Sequence, residues 1–248
     1  MTSSSILCQL PAGGLKRPGL RVWRGNKNMN SVANKFRRAL ATKRLKYADF
    51  SIVSNNCWGA HVYQTIGRAY ATPFVGLFIS PASYLRLLIE FPQSLSMPLK
   101  FKADSDEAYV NLARAAHSVR WPIGSLGDGI EIQFMHYSSE TEAAEKWKRR
   151  VSRISPNPGK WFFKFCDRDD CTAGQMAAFD QMPFPNKVFF TTRRDCPSRC
   201  GVKIPSNAPC VPDGLSLSRL SPAYFDTADW LGGGSGHVKW WLRYLNCV

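Results

Sequence analysis

Residues 50–59 read FSIVSNNCWG, and the fold class turns on this stretch. Phe50, Ile52 and Val53 are β-formers with no charge among them, which marks a buried strand. Ser54, Asn55 and Asn56 follow; such side chains hydrogen-bond their own backbone and favour turns and helix N-caps. Cys57, Trp58 and Gly59 come at once, and His61 lies four residues past the cysteine. A buried strand ending in polar residues and a thiol is where an open α/β sheet places its ligand site.

Outward from that stretch, strands alternate with helices. The first strand is expected over Asp49–Ser54, then a helix over His61–Ile66 closed by Gly67. Pro73–Ile79 reads as a second buried strand, and Pro81 as the first turn of a helix that Pro92 ends. Leu99–Lys102 reads as an edge strand, Glu107–Val119 as an alanine-rich helix and Pro122–Gly129 as a turn-rich connection. Ile130–Tyr137 alternates as a strand. The helix opening at Ser139 has Glu140 and Glu142 in its first turn and Lys146, Lys148, Arg149 and Arg150 towards its end, which suits the helix dipole. Trp161–Cys166 is a buried strand, Thr172–Gln181 a short helix and Lys187–Thr191 the last clear strand. Residues 192–222 are rich in Pro, Cys and Ser and are expected to be irregular. Tyr224–Leu231 and Val238–Leu245 read as helical pieces around the flexible Gly232–Gly236. The alternation predicts an α/β class with a mostly parallel sheet covered on both faces.

Composition bounds the rest. The 248 residues are 44% hydrophobic, enough for one sizeable core, so residues 31–248 are expected to form a single domain. The net charge of +15 is uneven. Residues 1–48 hold 11 Lys and Arg and no acid, whereas the remainder carries 22 basic and 18 acidic residues. That argues against a basic nucleic-acid groove built into the fold. Residues 1–30 read as a disordered basic arm, either solvated or resting on an anionic membrane surface. Met29 is an alternative start. Neither a membrane-spanning run nor a secretory signal is evident, so a cytoplasmic protein is expected, with peripheral contact at the inner face of the cell membrane through the arm. The eight cysteines are accordingly expected to be reduced.

Five ordered blocks carry a family resemblance: SNNCWGAHVYQTIGRAYATPFVGLFISPASYLRLL, WPIGSLGDGIEIQFMHY, EAAEKWKRRVSRI, FFKFCDRDDCT and FDQMPFPNKVFFT, together with YFDTADWL near Asp226. They resemble the bacterial family called domain of unknown function nineteen-nineteen, whose members are commonly labelled exopolysaccharide or capsule biosynthesis proteins. The resemblance implies a three-layer α/β/α sandwich with a Rossmann-like sheet, and a pathway rather than a mechanism. Three positions depart from the family pattern: Ala60 and Asp170 stand where glycine is usual, and Gln133 where histidine is frequent.

Three constellations offer chemistry. Cys57 is a candidate nucleophile, with His61 on the same helical face and His136 arriving from another strand end; the plainer reading is a buried thiol. Asp167 and Asp169, flanking Arg168 after an apolar strand, resemble the aspartates that hold Mg or Mn in nucleotide-sugar glycosyltransferases; the plainer reading is that Asp167 or Asp170 caps the following helix. Cys196, Cys200 and Cys210, with Cys171 or His237, form a loose set whose spacing fits zinc poorly. Trp230, Trp240, Trp241 and Tyr244 read as core or membrane-interface packing. Neither a glycine-rich phosphate loop nor a GxSxG elbow occurs. The sequence therefore predicts a transferase of cell-surface polysaccharide synthesis acting on a sugar or nucleotide sugar. Cys57, His61 and His136 would be catalytic, and Asp167 and Asp169 metal-binding. Ser54, Asn55, Asn56, Trp58, Gly59, Tyr137 and Arg168 would hold the substrate. The rivals are acyl transfer through Cys57 and a non-catalytic partner of the polysaccharide assembly machinery.

Overall fold

The apolar run that opens the site is strand β1 (Ser51–Ser54), with all four residues buried. The computed structural model that shows it describes residues 39, 41–45, 48–116 and 120–238. The basic arm over 1–30 and the segment beyond Val238 lie outside those residues; of residues 31–47, the described positions 39 and 41–44 are helical. In chain order there follow α1 (Trp58–Ile66), α2 (Pro81–Ile89), β2 (Leu99–Lys102), α3 (Ala108–Ala116), β3 (Ile123–Leu126), β4 (Ile130–Gln133) and α4 (Glu140–Val151). Then come β5 (Trp161–Cys166), α5 (Ala173–Gln181), β6 (Lys187–Thr191), β7 (Gly201–Lys203), α6 (Gly214–Leu220) and α7 (Thr227–Leu231).

The class is mixed α/β, with two sheets. Strands β1-β5-β6-β7 form a parallel sheet in that order, and β2-β3-β4 form an antiparallel one. The expectation of one mostly parallel sheet thus holds for four strands. The other three pair locally, because Gly127 and Gly129, both at positive φ, turn β3 into β4 as a hairpin. That connection had read as turns alone. Two further expectations change. Pro73–Ile79 is buried but irregular, and among the described residues it pairs with the antiparallel sheet through an isolated bridge from Phe78 to Gln133. The stretch 192–222 contains both β7 and α6.

Alternate residues of the parallel strands feed two cores. Phe163, Phe165 and Phe189 join a cluster with Phe74, Tyr84, Leu87 and Phe134. Phe162, Val188 and Phe190 join another with Trp58, Tyr63 and Trp230. Both faces of the parallel sheet are therefore covered, and Trp230 is core. Helix ends follow local chemistry. Gly67 closes α1 in the left-handed conformation, Ser80 caps α2, and Thr172 with Gln175 forms a capping box on α5. Thr172, not Asp167 or Asp170, caps that helix.

Candidate functional site

An open cleft of about 230 Å³ lies at the start of α1, walled by four chain segments. Cys57 and His61 come from α1 and the turn before it, Val75 and Gly76 from the irregular segment, His136 and Tyr137 from beyond β4, and Lys146 and Arg150 from α4. Three of these placements have visible local causes. Asn56 Oδ1 accepts from the Trp58 N–H at 3.1 Å, starting α1 directly after Cys57. Gly76 sits at φ +70°, and a Cβ there would stand 3.2 Å from the Tyr137 ring and 3.3 Å from His136 Cβ. The His136 N–H donates to the Gly76 carbonyl at 3.0 Å, which seats the second histidine against that glycine.

The side chains are held in defined states. Gln64 donates through Nε2 to the Tyr70 hydroxyl at 2.9 Å, so its Oε1 faces His61 Nδ1 at 3.1 Å. With Nδ1–H donating to that oxygen, Nε2 is the ring nitrogen left for the cleft. Tyr137 donates to the Val75 carbonyl at 2.5 Å and accepts from Arg150. The Arg150 guanidinium lies 5.5 Å from the Tyr70 ring centre and 5.9 Å from that of Tyr137. Lys146 pairs with Glu142. Burial pushes the Tyr137 hydroxyl up, against the opposing Arg150 charge.

Cys57 lines the cleft but is not poised as a thiolate. Its S–H donates to the Leu77 carbonyl at 3.6 Å. Burial raises its pKa, outweighing backbone hydrogen bonds at Gly76 and Leu77 and the nearby Lys164 charge.

The structure brings Cys57, His61, His136 and Tyr137 together and assigns the other expected residues elsewhere. Ser54, Asn55, Asn56, Trp58 and Gly59 are buried and do not line the cleft. Trp58 is a core residue whose Nε1 donates to Ser221 at 3.1 Å. At Gly59 an added Cβ would meet Ile52 Cγ2 at 2.9 Å, so this glycine serves helix-on-strand packing. Arg168 donates to the Val211 carbonyl at 3.0 Å. Asp167 is 2% exposed, accepting from the Thr191 hydroxyl, the Thr192 N–H and the Val211 N–H at 2.7–2.8 Å. It fastens the 192–211 loop to the sheet. Asp169 is half-buried at φ +58°, its carboxyl pushed up by burial. With Asp167 so engaged, the pair does not fit Mg or Mn, and among the described residues no group of three or more His, Cys, Asp or Glu is arranged to hold a metal. That covers the described members of the Cys196, Cys200 and Cys210 set. Cys210 is disulfide-bonded, against the expectation of eight reduced thiols, while Cys57, Cys166, Cys171, Cys196 and Cys200 are free. No helix among the described residues is long and apolar enough to cross a membrane.

The sequence pattern described as Domain of unknown function (DUF1919) matches residues 28–230. The chain belongs to this family. A protein of Haemophilus influenzae named "Uncharacterized protein" is 35% identical over 167 residues, covering 66% of this chain and 73% of that one. The match to DUF1919 spans every cleft residue. It also frames the three departures. Ala60 lines the cleft, Gln133 accepts from Trp121 Nε1 at 2.8 Å inside the core, and Asp170 sits at φ +58°, a conformation that suits the glycine expected there.

Sequence reading missed three contributors. Lys146 and Arg150 read only as complements to the α4 dipole; their i, i+4 spacing was the available signal for a shared face. Lys164 was passed over inside an apolar strand. It is 0% exposed, with its ammonium 3.1 Å from Asn55 Oδ1, 2.9 Å from Asn56 Oδ1 and 3.2 Å from Cys166 Sγ. Asn55 Nδ2 has no partner among the described residues.

Proposed function

We propose that this DUF1919 chain is a transferase of cell-surface polysaccharide synthesis acting on a sugar or nucleotide sugar, with the cleft as its site. The supporting observation is the convergence of His61, His136, Lys146 and Arg150 on one cleft whose lining, among the described residues, holds no carboxylate, with Lys146 paired to Glu142. His61 Nε2 is free to take a proton from an acceptor hydroxyl, and the exposed His136 stands opposite. The cationic wall faces the anionic part of a donor. The three-layer, Rossmann-like arrangement belongs to the same reading, supported by the cores on both faces of the parallel sheet. Acyl transfer through Cys57 keeps the thiol's position in the cleft in its favour, and its raised pKa against it.

The test is calorimetric titration of the full chain with a panel of nucleotide sugars and with the matching neutral sugars, followed by turnover assays with His61→Ala and His136→Ala. Binding of one nucleotide sugar, with turnover lost in both variants and affinity kept, supports the transferase. Binding of neither class to the folded chain removes it. Acylation of Cys57 by an acyl thioester would replace it with the thiol reading.

A further inference from the structure

Glu142, Lys146 and Arg150 recur every four residues along α4, so they share one helical face. Arg150 lies at the cleft end of that face without an acidic partner among the described residues. Its hydrogen bonds among the described residues use Nη1: to the Tyr137 hydroxyl and, at 3.4 Å, to the Val75 carbonyl. The guanidinium is held by the Tyr137 hydroxyl and the two tyrosine rings, leaving Nε and Nη2 as donors. Such a fork matches the oxygens of a phosphoryl group. Lys146 stands 5.6 Å over the Tyr137 ring, half-exposed, with its ammonium on Glu142.

Glu142 is itself tied down. Its Oε2 accepts from the Ser138 N–H and hydroxyl, each at 2.7 Å, and its Oε1 takes Lys146. These bonds, that of Lys146 foremost, hold its pKa down at about 2. The carboxylate is therefore charged at any working pH, and Ser138 keeps it in place if Lys146 leaves.

We propose that the cleft is a diphosphate subsite, with Arg150 as its fixed clamp and Lys146 as a second cation that Glu142 holds in reserve until a phosphoryl group takes it over. This rests on the nucleotide-sugar reading above and names the part of the donor that the cleft grips. Glu142 sets the affinity: a single carboxylate competes with the ligand for one ammonium. Its removal tightens binding instead of weakening it, which a merely structural helix residue would not do.

The experiment titrates inorganic pyrophosphate into the full chain by calorimetry. Three variants accompany the wild type: Arg150→Gln, Arg150→Lys and Glu142→Gln, each checked for fold by thermal unfolding. Pyrophosphate is expected to bind, about tenfold or more weakly in Arg150→Gln and with partial recovery in Arg150→Lys. Glu142→Gln is expected to bind it about two- to fivefold more tightly, the scale of an exposed ion pair. Unchanged affinity in folded Arg150→Gln overturns the clamp, and equal or weaker binding in folded Glu142→Gln overturns the reserve role. Nucleotide-sugar binding that ignores Arg150→Gln sinks the subsite and spares the transferase reading. Pyrophosphate binding with no nucleotide-sugar binding does the reverse.

Discussion

Lys164 lies between Phe163 and Phe165 in β5 and is wholly buried, with two asparagine oxygens and a cysteine sulfur as its neighbours. Burial lowers its pKa, the Cys166 interactions opposing. Between that depressed value and the ordinary value of about 10.4, the unfolded chain binds more protons than the folded one. Lys164 therefore costs stability at neutral pH, and the cost shrinks as pH rises towards 10. Lys164→Met keeps the volume and removes the charge but leaves Asn55 and Asn56 without their donor. In urea unfolding at pH 7 and pH 9.5, wild type should gain on Lys164→Met at the higher pH. A gap that does not change would show that the lysine carries no folded-state shift. The sequence displayed the lysine but not its partners. WFFKFC reads as a buried strand whichever way the ammonium turns, and Asn55 and Asn56 come from a distant loop. Cys57 shows the same limit: its place beside the site was legible in its neighbours, whereas its raised pKa follows from burial, which outweighs the backbone hydrogen bonds at Gly76 and Leu77.

Among the elements, α1 and α6 meet end to end. A Cβ on Gly214 would lie 2.7 Å from the Trp58 nitrogen and 3.1–3.2 Å from Cys57 backbone atoms. Because those atoms are backbone, nothing flexible can give way. Gly214→Ala should therefore destabilise by roughly 1–3 kcal/mol, the cost of overpacking, and should alter alkylation of Cys57. Gly174→Ala in α5, where the new methyl would meet only Thr172 Oγ1 at 3.9 Å, is the control and should be neutral or slightly stabilising. Equal melting of the two variants would refute the close-approach account. Elements with their own punctuation were legible: Gly67 after α1, Pro81 at the start of α2, and the aromatic runs of β5 and β6. Helix α6 was not, because its seven residues depend on Asp213, whose Oδ1 accepts from Leu215 and Ser216 at 3.0 Å, and on docking against α1. The apolar run over 73–79 has strand composition, but it meets β4 at a single bridge and otherwise serves to wall the cleft.

For the molecule as a whole, several carboxylates are held below their usual range. Asp180 is lowered by the Cys200 N–H, the Ser198 hydroxyl and Arg199, and Asp213 by Ser216 and Leu215, each against opposing desolvation. A lowered carboxylate stabilises the fold above its unfolded pKa and loses that contribution as pH falls through its folded value. The contribution of Asp180 and Asp213 should be level from pH 7 to 5 and be lost below about pH 4. Asp180→Asn should start lower and fall less; a parallel fall would show that other groups carry the acid response. The α/β class was legible because its cues are local. The division into two sheets was not, because β3 hides behind glycines and joins its neighbours through pairing alone. That pairing also orders events in time. The β3–β4 hairpin can close as soon as it is made, whereas among the described residues β1 pairs with β5 alone, and Asn56 and Cys166, 110 residues apart, must meet before the turn ahead of Cys57 is held. During synthesis β1 therefore leaves the ribosome long before its partner, and until β5 follows it stands as an open edge exposed to wrong pairing.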